Sequence, residues 1–250
     1  MDNTNNIKDN IFLSPDSDPM GTAIAEYQAK GRAARLRVFS PDFDEDEIPV
    51  ASLFRTYELM SPIEQKAIDL SVGRTLDVGA GSGCHSLELQ KRGVDTVAID
   101  ISGLSVRTML ERGVRSAHTA DFFNAAELGR FDTILMLMNG AGIIGSLERM
   151  DAFFATLKCM LNPGGQVLLD SSDIRYVFED EDGNFEPPSD ERYYGEMDYT
   201  MQYRSVKGKP FSWLYVDFET LSMYASQNGF RAELVAEGAH YDYLARLTAE

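Results

Sequence analysis

Residues 75–85 read Thr-Leu-Asp-Val-Gly-Ala-Gly-Ser-Gly-Cys-His: a short apolar run, three alternating glycines, and the start of a helical pattern. This is a strand, a tight turn and a helix start, and the rest of the chain must be arranged around it. Gly79, Gly81 and Gly83 have no Cβ, so the backbone can enter conformations closed to other residues and lie against a ligand. A helix over 84–91 would aim its free N–H groups and the positive end of its dipole into the turn. Such an end suits a carboxylate or a phosphate.

The glycine spacing narrows the ligand. A dinucleotide loop reads G-x-G-x-x-G, whereas here the glycines alternate and Asp77 stands two residues ahead of the first. A carboxylate at that strand end is unwelcome beside a pyrophosphate and well placed for a cationic amino group. Twenty-one residues beyond Gly79, the run 97–100 ends in Asp100 and is followed by Ile101. A strand-like stretch, 114–119, then leads into Asp121 and Phe122, and the apolar run from 131 ends in Asn139. Residues 157–170 carry a helix end, a Pro-Gly-Gly turn and a further apolar run.

These five blocks, in this order, resemble the class I S-adenosylmethionine-dependent methyltransferases, closely over 74–172 and loosely toward the C terminus. The resemblance implies an α/β fold: a Rossmann-like doubly wound sheet, mostly parallel with an antiparallel final strand, in the order 3-2-1-4-5-7-6. It implies S-adenosylmethionine as cofactor, with S-adenosylhomocysteine as product. Asp77, Gly79, Ala80, Gly81 and Gly83 would serve its amino-acid end, Asp100 and Ile101 its ribose, Asp121 and Phe122 its adenine, with Asn139 completing the set. Apart from the resemblance, alternating apolar runs and helical segments over 74–172 give a parallel sheet covered on both faces. Such sheets bind ligands outside the carboxyl ends of their strands, and Gly79, Asp100, Asp121 and Asn139 all fall there.

After Asn139 the sequence is Gly-Ala-Gly-Ile-Ile-Gly, without the two prolines and aromatic residue that family members acting on amide or base nitrogens carry. The chain therefore does not look like a DNA, RNA or glutamine N-methyltransferase. Charge agrees: 23 basic against 40 acidic residues, a net −17, argues against nucleic acid and against anionic membrane surfaces. There is no apolar run of 18 or more residues and no leader pattern, so a cytoplasmic location is expected. Cys84 and Cys159 lack spaced His or Cys partners, so they read as packed thiols, and no metal is expected.

The ends of the chain are read as additions to one core. Residues 1–20 read as a loose tail, and 21–72 as a helical lid ahead of a methyltransferase domain over 73–250. Within the lid, helices are expected over 21–39 and 51–60, with 42–47 an acidic loop or helix start. Ser61 and Pro62 open a third helix as N-cap and first residue. In the family such helices cover cofactor and substrate, which singles out Phe54, Arg55 and Tyr57. The segment 173–216 reads as a substrate-cap insertion: a turn rich in acids, then a β-hairpin over 196–204 and 211–216. Tyr199, Tyr203 and Trp213, with Tyr194, Tyr215 and Asp198, either form an aromatic and acidic wall for an amine or a ring, or pack the hairpin onto the domain or into a homodimer through 193–216.

The expected function is transfer of a methyl group to a small-molecule acceptor, at oxygen, amine nitrogen or carbon. No residue identifies itself as a general base, and the three histidines, His85, His118 and His240, read as structural. The alternatives are a catalytically idle S-adenosylmethionine-binding protein and a nicotinamide-dependent oxidoreductase. The glycine spacing and the want of a Tyr-x-x-x-Lys pair disfavour the second.

Overall fold

Strands buried on both faces read as continuous apolar runs, and the middle of this chain is built from them. The computed structural model describes residues 12–180, 184–186 and 192–250. Strand β3 (Thr75–Val78) is buried at all four positions and β6 (Phe131–Met136) at five of six. They form a sheet with β4 (Thr96–Asp100), β5 (Ala117–Thr119), β7 (Leu161–Ser172), β11 (Phe230–Glu237) and β12 (Asp242–Ala249), in the order β11-β12-β7-β6-β3-β4-β5. Counted along the chain, that is the expected 3-2-1-4-5-7-6. The five central and distal strands pair in parallel, and β12 runs antiparallel to both its neighbours.

Strand periodicity decides which helices cover which face. Ile134 and Met136 of β6 and Val167 and Leu169 of β7 point into a core shared with α5 (Met150–Met160) and α6 (Phe218–Gln227). Phe122, Phe153, Phe154 and Phe230 continue it, with successive ring centroids 5.7, 5.2 and 5.2 Å apart. The alternate residues, Leu135 and Leu168, face α2 (Pro62–Leu70) and α3 (Cys84–Lys91). Helix α4 (Gly103–Arg112) packs its Val106 and Met109 on Ala80 and Ala98. Helix α2 begins as expected, with Ser61 and Glu64 forming a reciprocal capping box and Pro62 in the first turn.

The N-terminal region departs from a purely helical reading. Residues 1–11, the first part of the expected loose tail, lie outside the described residues. The remainder is tied down: the Leu13 N–H donates to the Ile101 carbonyl at 3.3 Å, and helix α1 (Pro19–Lys30) already starts at Pro19. The Asp18 side chain caps α1 through the Gly21 N–H at 2.7 Å and accepts from Ser102. Helix α1 stops at Gly31, in the left-handed conformation at φ 65°. Beyond it the chain extends into strand β1 (Leu36–Phe39); residues 42–45 of the acidic run form a loop as expected, and its last two residues open strand β2 (Asp46–Ile48). Cross-strand pairs explain both corrections: Arg35 meets Glu47, and Arg37 meets Glu45 at 2.5 Å. Residues 51–60 form two 3-10 turns, Val50–Phe54 and Tyr57–Leu59, broken by extended backbone at Arg55 and Thr56.

The hairpin is present as β8 (Glu196–Tyr203) and β10 (Phe211–Leu214), with short β9 (Val206–Lys207) after the turn. It is joined by the N-terminal strands, giving a second, antiparallel sheet in the order β10-β8-β1-β2. Both edges of β8 are therefore paired within the chain. A homodimer through this hairpin would have to use the outer edge of β10 or a face. Tyr203 locks the joint: fully buried, it donates to Glu26 at 3.0 Å and accepts from the Ala34 N–H at 2.9 Å. Tyr203→Phe removes the acceptor of that half-buried N–H and the donor to Glu26, and is expected to cost about 0.5–1.5 kcal/mol, read as a fall in the urea midpoint.

Candidate cofactor and acceptor site

The glycines of the first turn have different reasons to be glycine. All three take positive φ, 68° at Gly79, 56° at Gly81 and 81° at Gly83. A Cβ on Gly83 would meet Met109 and Val114 at 2.9 Å, so this residue lets α4 pack closely. A Cβ on Gly81 would meet nothing nearer than 3.9 Å, so its backbone faces open space. The turn is laced to the end of β4: the Gly79 and Ala80 N–H groups donate to the Ile99 carbonyl at 2.9 and 3.0 Å. Ala80 turns its methyl under α4.

Asp100 holds the same junction. Its two carboxylate oxygens accept from the Gly81 N–H at 2.9 Å and the Ser102 N–H at 2.8 Å. Burial pushes this carboxyl up to about 6 despite those two donors. Ile101, beside it, is exposed. Asp121 caps the 3-10 turn Phe122–Leu128, accepting from the Phe123 N–H and from Asn124, and remains partly open. Phe122 does not present a face for adenine: it is 2% exposed and packed on Phe123 and Phe153.

Beneath the glycine turn lies a buried charge network. Asp77 accepts from Ser86 at 2.6 Å and faces His85, its carboxyl raised by burial. His85 sits 2.7 Å from Glu64, which also receives Arg55 through Nε at 2.9 Å. Burial alone would raise Glu64, but the hydrogen bonds from His85 and Arg55 outweigh it and hold the carboxyl at about 2. Arg55 is therefore an interior partner linking the N-terminal region to α3, and not a free contact for substrate. Tyr57 is further away. Its hydroxyl donates to Asp69 at 2.8 Å and its ring lies 4.3 Å under Arg92, at the end of α3 remote from the glycines.

The second half of the site forms where β6 and β7 end. Met138 and Asn139 are both left-handed, at φ 68° and 55°. Asp170 holds that strained turn by accepting from the Met138 N–H at 3.0 Å and the Gly140 N–H at 2.8 Å, its own carboxyl raised by burial to about 6. The Asn139 side-chain carbonyl accepts from Ser172 at 2.8 Å. The turn also abuts the glycines, since a Cβ on Gly79 would lie 3.0 Å from Ile143.

Beside Asn139 opens a cleft of about 270 Å³, walled by Phe43, Ser172, Tyr176, Tyr199, Tyr215 and His240. The Tyr199 and Tyr215 hydroxyls are 3.3 Å apart, and the Tyr176 and Tyr241 rings stack at 4.8 Å. Tyr241, at φ 60°, is a third strained residue here, and such strain gathers at functional sites.

Of the three hairpin residues singled out for substrate, only Tyr199 lines the cleft. Tyr203 is buried between the small sheet and α1. Trp213 covers the turn after Asn139 so closely that a Cβ on Gly142 would fall 1.8 Å from its ring, which explains that glycine by packing. Asp198 faces away, held by Arg192 and Ser212. Asp170 was not singled out from the sequence, though its place at the end of the fifth strand, level with Asn139, is a signal of the same kind as Asp100. His240, expected to be structural, has its ring in the wall of the cleft. Both cysteines are unpaired, Cys84 buried and Cys159 exposed. Among the described residues no cluster of three or more His, Cys, Asp and Glu side chains forms a metal site, and no helix is long and apolar enough to cross a membrane.

A sequence model of the family described as "Methyltransferase domain" matches residues 50–232. A solved SAM-dependent methyltransferase from Bacteroides fragilis, in complex with S-adenosyl-L-homocysteine, is 55% identical, superimposes with a TM-score of 0.90, and the match covers 95% of this chain and 97% of that one. Two curated proteins also match. A protein-L-isoaspartate O-methyltransferase of Aromatoleum aromaticum is 27% identical over 57% of this chain and 66% of its own length. A magnesium-protoporphyrin O-methyltransferase of Rhodobacter capsulatus is 36% identical over 28% of this chain and 33% of its own. In neither does the match reach two thirds of the relative. The chain belongs to the methyltransferase-domain family, as a class I S-adenosylmethionine-dependent enzyme with S-adenosylmethionine as its cofactor. The nicotinamide alternative has no support from these matches.

The residues present fit that cofactor: an open backbone cradle at Gly81, a carboxylate with free lone pairs at Asp100, and a partly open acid at Asp121. Ionised Asp100 accepts hydroxyls, whereas the protonated form gives up part of that capacity. S-adenosylhomocysteine affinity, measured by calorimetry, is therefore expected to be flat above pH 6 and to fall as pH drops below about 6. Asp100→Asn should weaken it at neutral pH and flatten that dependence.

The Glu64 network makes a stability statement that falls in a more acidic window. Because the folded Glu64 carboxyl titrates near 2, below its unfolded value of 4.5, its contribution is present above 4.5 and lost as pH falls through 2. Glu64→Gln strands Arg55 and His85 and is expected to cost about 3–5 kcal/mol at pH 7 in denaturant unfolding.

Proposed function

We propose that this enzyme methylates a small-molecule acceptor seated in the Tyr199–Tyr215 cleft, and that residues 12–72 and 173–216 act together as its cap. The observation carrying this reading is the cleft itself. It opens beside Asn139 at the carboxyl ends of β6 and β7, one turn away from the glycine cradle, and its dimensions suit a compact molecule.

When bound, S-adenosylmethionine supplies a methyl group already activated by its sulfonium charge. The protein's task is then alignment and exclusion of water. The Gly81 backbone and the Asp100 and Asp121 carboxylates fix the position of the adenosyl group. Asp170 fixes Met138 and Gly140, and through them presents Asn139 to the cleft. The joined sheet of β1, β2, β8 and β10 forms the outer wall, with Phe43, Tyr199 and Tyr215 on its inner side. Asp77 supports the cradle from below and stays buried against Ser86 and His85.

The reading is tested by the release of S-adenosylhomocysteine against a panel of small amines, phenols, alcohols and carboxylates. Tyr199→Ala is expected to lower kcat/KM for the accepted compound about 10–100-fold, with affinity for S-adenosylhomocysteine unchanged. Equal activity of the variant, or methylation of a protein and of no small compound, would overturn it.

A further inference from the structure

The cleft carries a charge asymmetry that bears on its acceptor. None of the side chains lining it is a lysine or an arginine. The arginines on the elements that frame it are all engaged elsewhere. Arg35 is paired with Glu47 and Arg37 with Glu45. Arg175 lies 4.7 Å over the Phe185 ring and 3.6 Å from Glu179. The acids are differently placed. Burial, the Tyr215 hydroxyl, and then the Asp42 and Asp46 carboxylates hold the proton on Tyr199. Burial, then Tyr176 and Asp46, do the same at Tyr215. Asp170 lies beneath the floor, bound to the turn of Asn139. A guest in this cleft meets aromatic faces, hydroxyl and amide oxygens, and a field set by carboxylates.

That combination penalises an anion and favours a cation, through ring faces, oxygen acceptors and the acids of the β1–β2 region. Resting on the reading of this cleft as the acceptor site, the geometry points to a protonated primary or secondary amine on a compact skeleton as the substrate class. Tyr176, Tyr199 and Tyr215 provide the aromatic walls, Asn139 and Ser172 the oxygen acceptors, and Asp42 and Asp46 the attracting charge. In the transfer step the ammonium first gives one proton to water at the open mouth of the cleft, where the exposed His240 stands. The freed nitrogen lone pair forms the N–CH3 bond as the S–CH3 bond breaks and its electron pair returns to sulfur. The products are a methylated ammonium, neutral S-adenosylhomocysteine and the released proton.

The test uses the full chain saturated with S-adenosylhomocysteine and matched probes: benzylamine and cyclohexylamine against the alcohols and carboxylates of the same skeletons. Binding is read by ligand-detected NMR at low and high salt. The amines are expected to bind and their analogues to bind more weakly or not at all. Added salt should weaken the amines selectively. Asp42→Asn combined with Asp46→Asn should weaken them about three- to tenfold at low salt, with S-adenosylhomocysteine affinity unchanged. Preference for the alcohol or carboxylate, no binding of either amine, or indifference of amine binding to the two Asn substitutions would overturn this inference while leaving small-molecule methylation standing. Failure of S-adenosylhomocysteine itself to bind would bring down the parent reading instead. Tyr199→Phe, which keeps the ring, should retain amine binding, and Tyr199→Ala should lose it.

Discussion

Two carboxylates, one half-buried and one buried, each accepting two backbone N–H groups, hold the working end of this molecule together. Asp100 ties the Gly81 turn to Ser102, and Asp170 ties Met138 to Gly140. Taking a carboxylate out of water is costly, and burial raises both groups to about 6 against the lowering effect of their backbone donors. What the arrangement secures is geometry. The left-handed backbone of Met138 and Asn139 is strained for residues with a Cβ, and it persists because Asp170 holds the N–H groups on both sides of Asn139. The glycine turn and the cleft beside Asn139 thus share a base at the carboxyl ends of neighbouring strands.

The second sheet, above that base, comes from two parts of the chain far apart in sequence. Strand β1 pairs with β8 in the register Leu36 with Tyr203 through Phe39 with Thr200, so strands from the N-terminal segment and the insertion form one sheet. Tyr203 fastens this sheet to α1, and the Asp18–Ser102 contact fastens α1 to the methyltransferase core. The Glu64 network makes a second attachment, at α3 directly below the glycines. The cleft lies between a floor set by Asp170 and a wall set by this joint.

Much of the central domain was legible in the sequence, for a reason that individual residues show. Val78, Ile99 and Leu135 sit in strands buried on both sides, and a fully buried strand must be an apolar run of limited length. Gly79, Gly81 and Gly83 had to be glycine at positive φ, and Asp100 and Asn139 stood at strand ends where ligands bind. The N-terminal region was misread because its signals were not local. Arg35 and Arg37 read as part of a helix, and Glu47 as part of a solvated run, until β1 and β2 pair. Phe122 looks like an adenine contact until α5 places Phe153 against it.

The sequence by itself determined the parallel sheet and the glycine turn, because each follows from hydrophobic period and glycine spacing along one stretch of chain, and the strand order and cofactor came with the resemblance that its five blocks carry. Only the tertiary structure decided the fates of Arg55, Tyr57, Tyr203 and Trp213. Each is a long side chain with an apolar body and a polar tip, equally able to meet a ligand or an interior partner. For Arg55 the choice fell to Glu64, for Tyr57 to Asp69 and Arg92, for Tyr203 to Glu26, and for Trp213 to the bare backbone of Gly142. Those partners are brought into reach by chain folding, and no pattern around the four residues announces them.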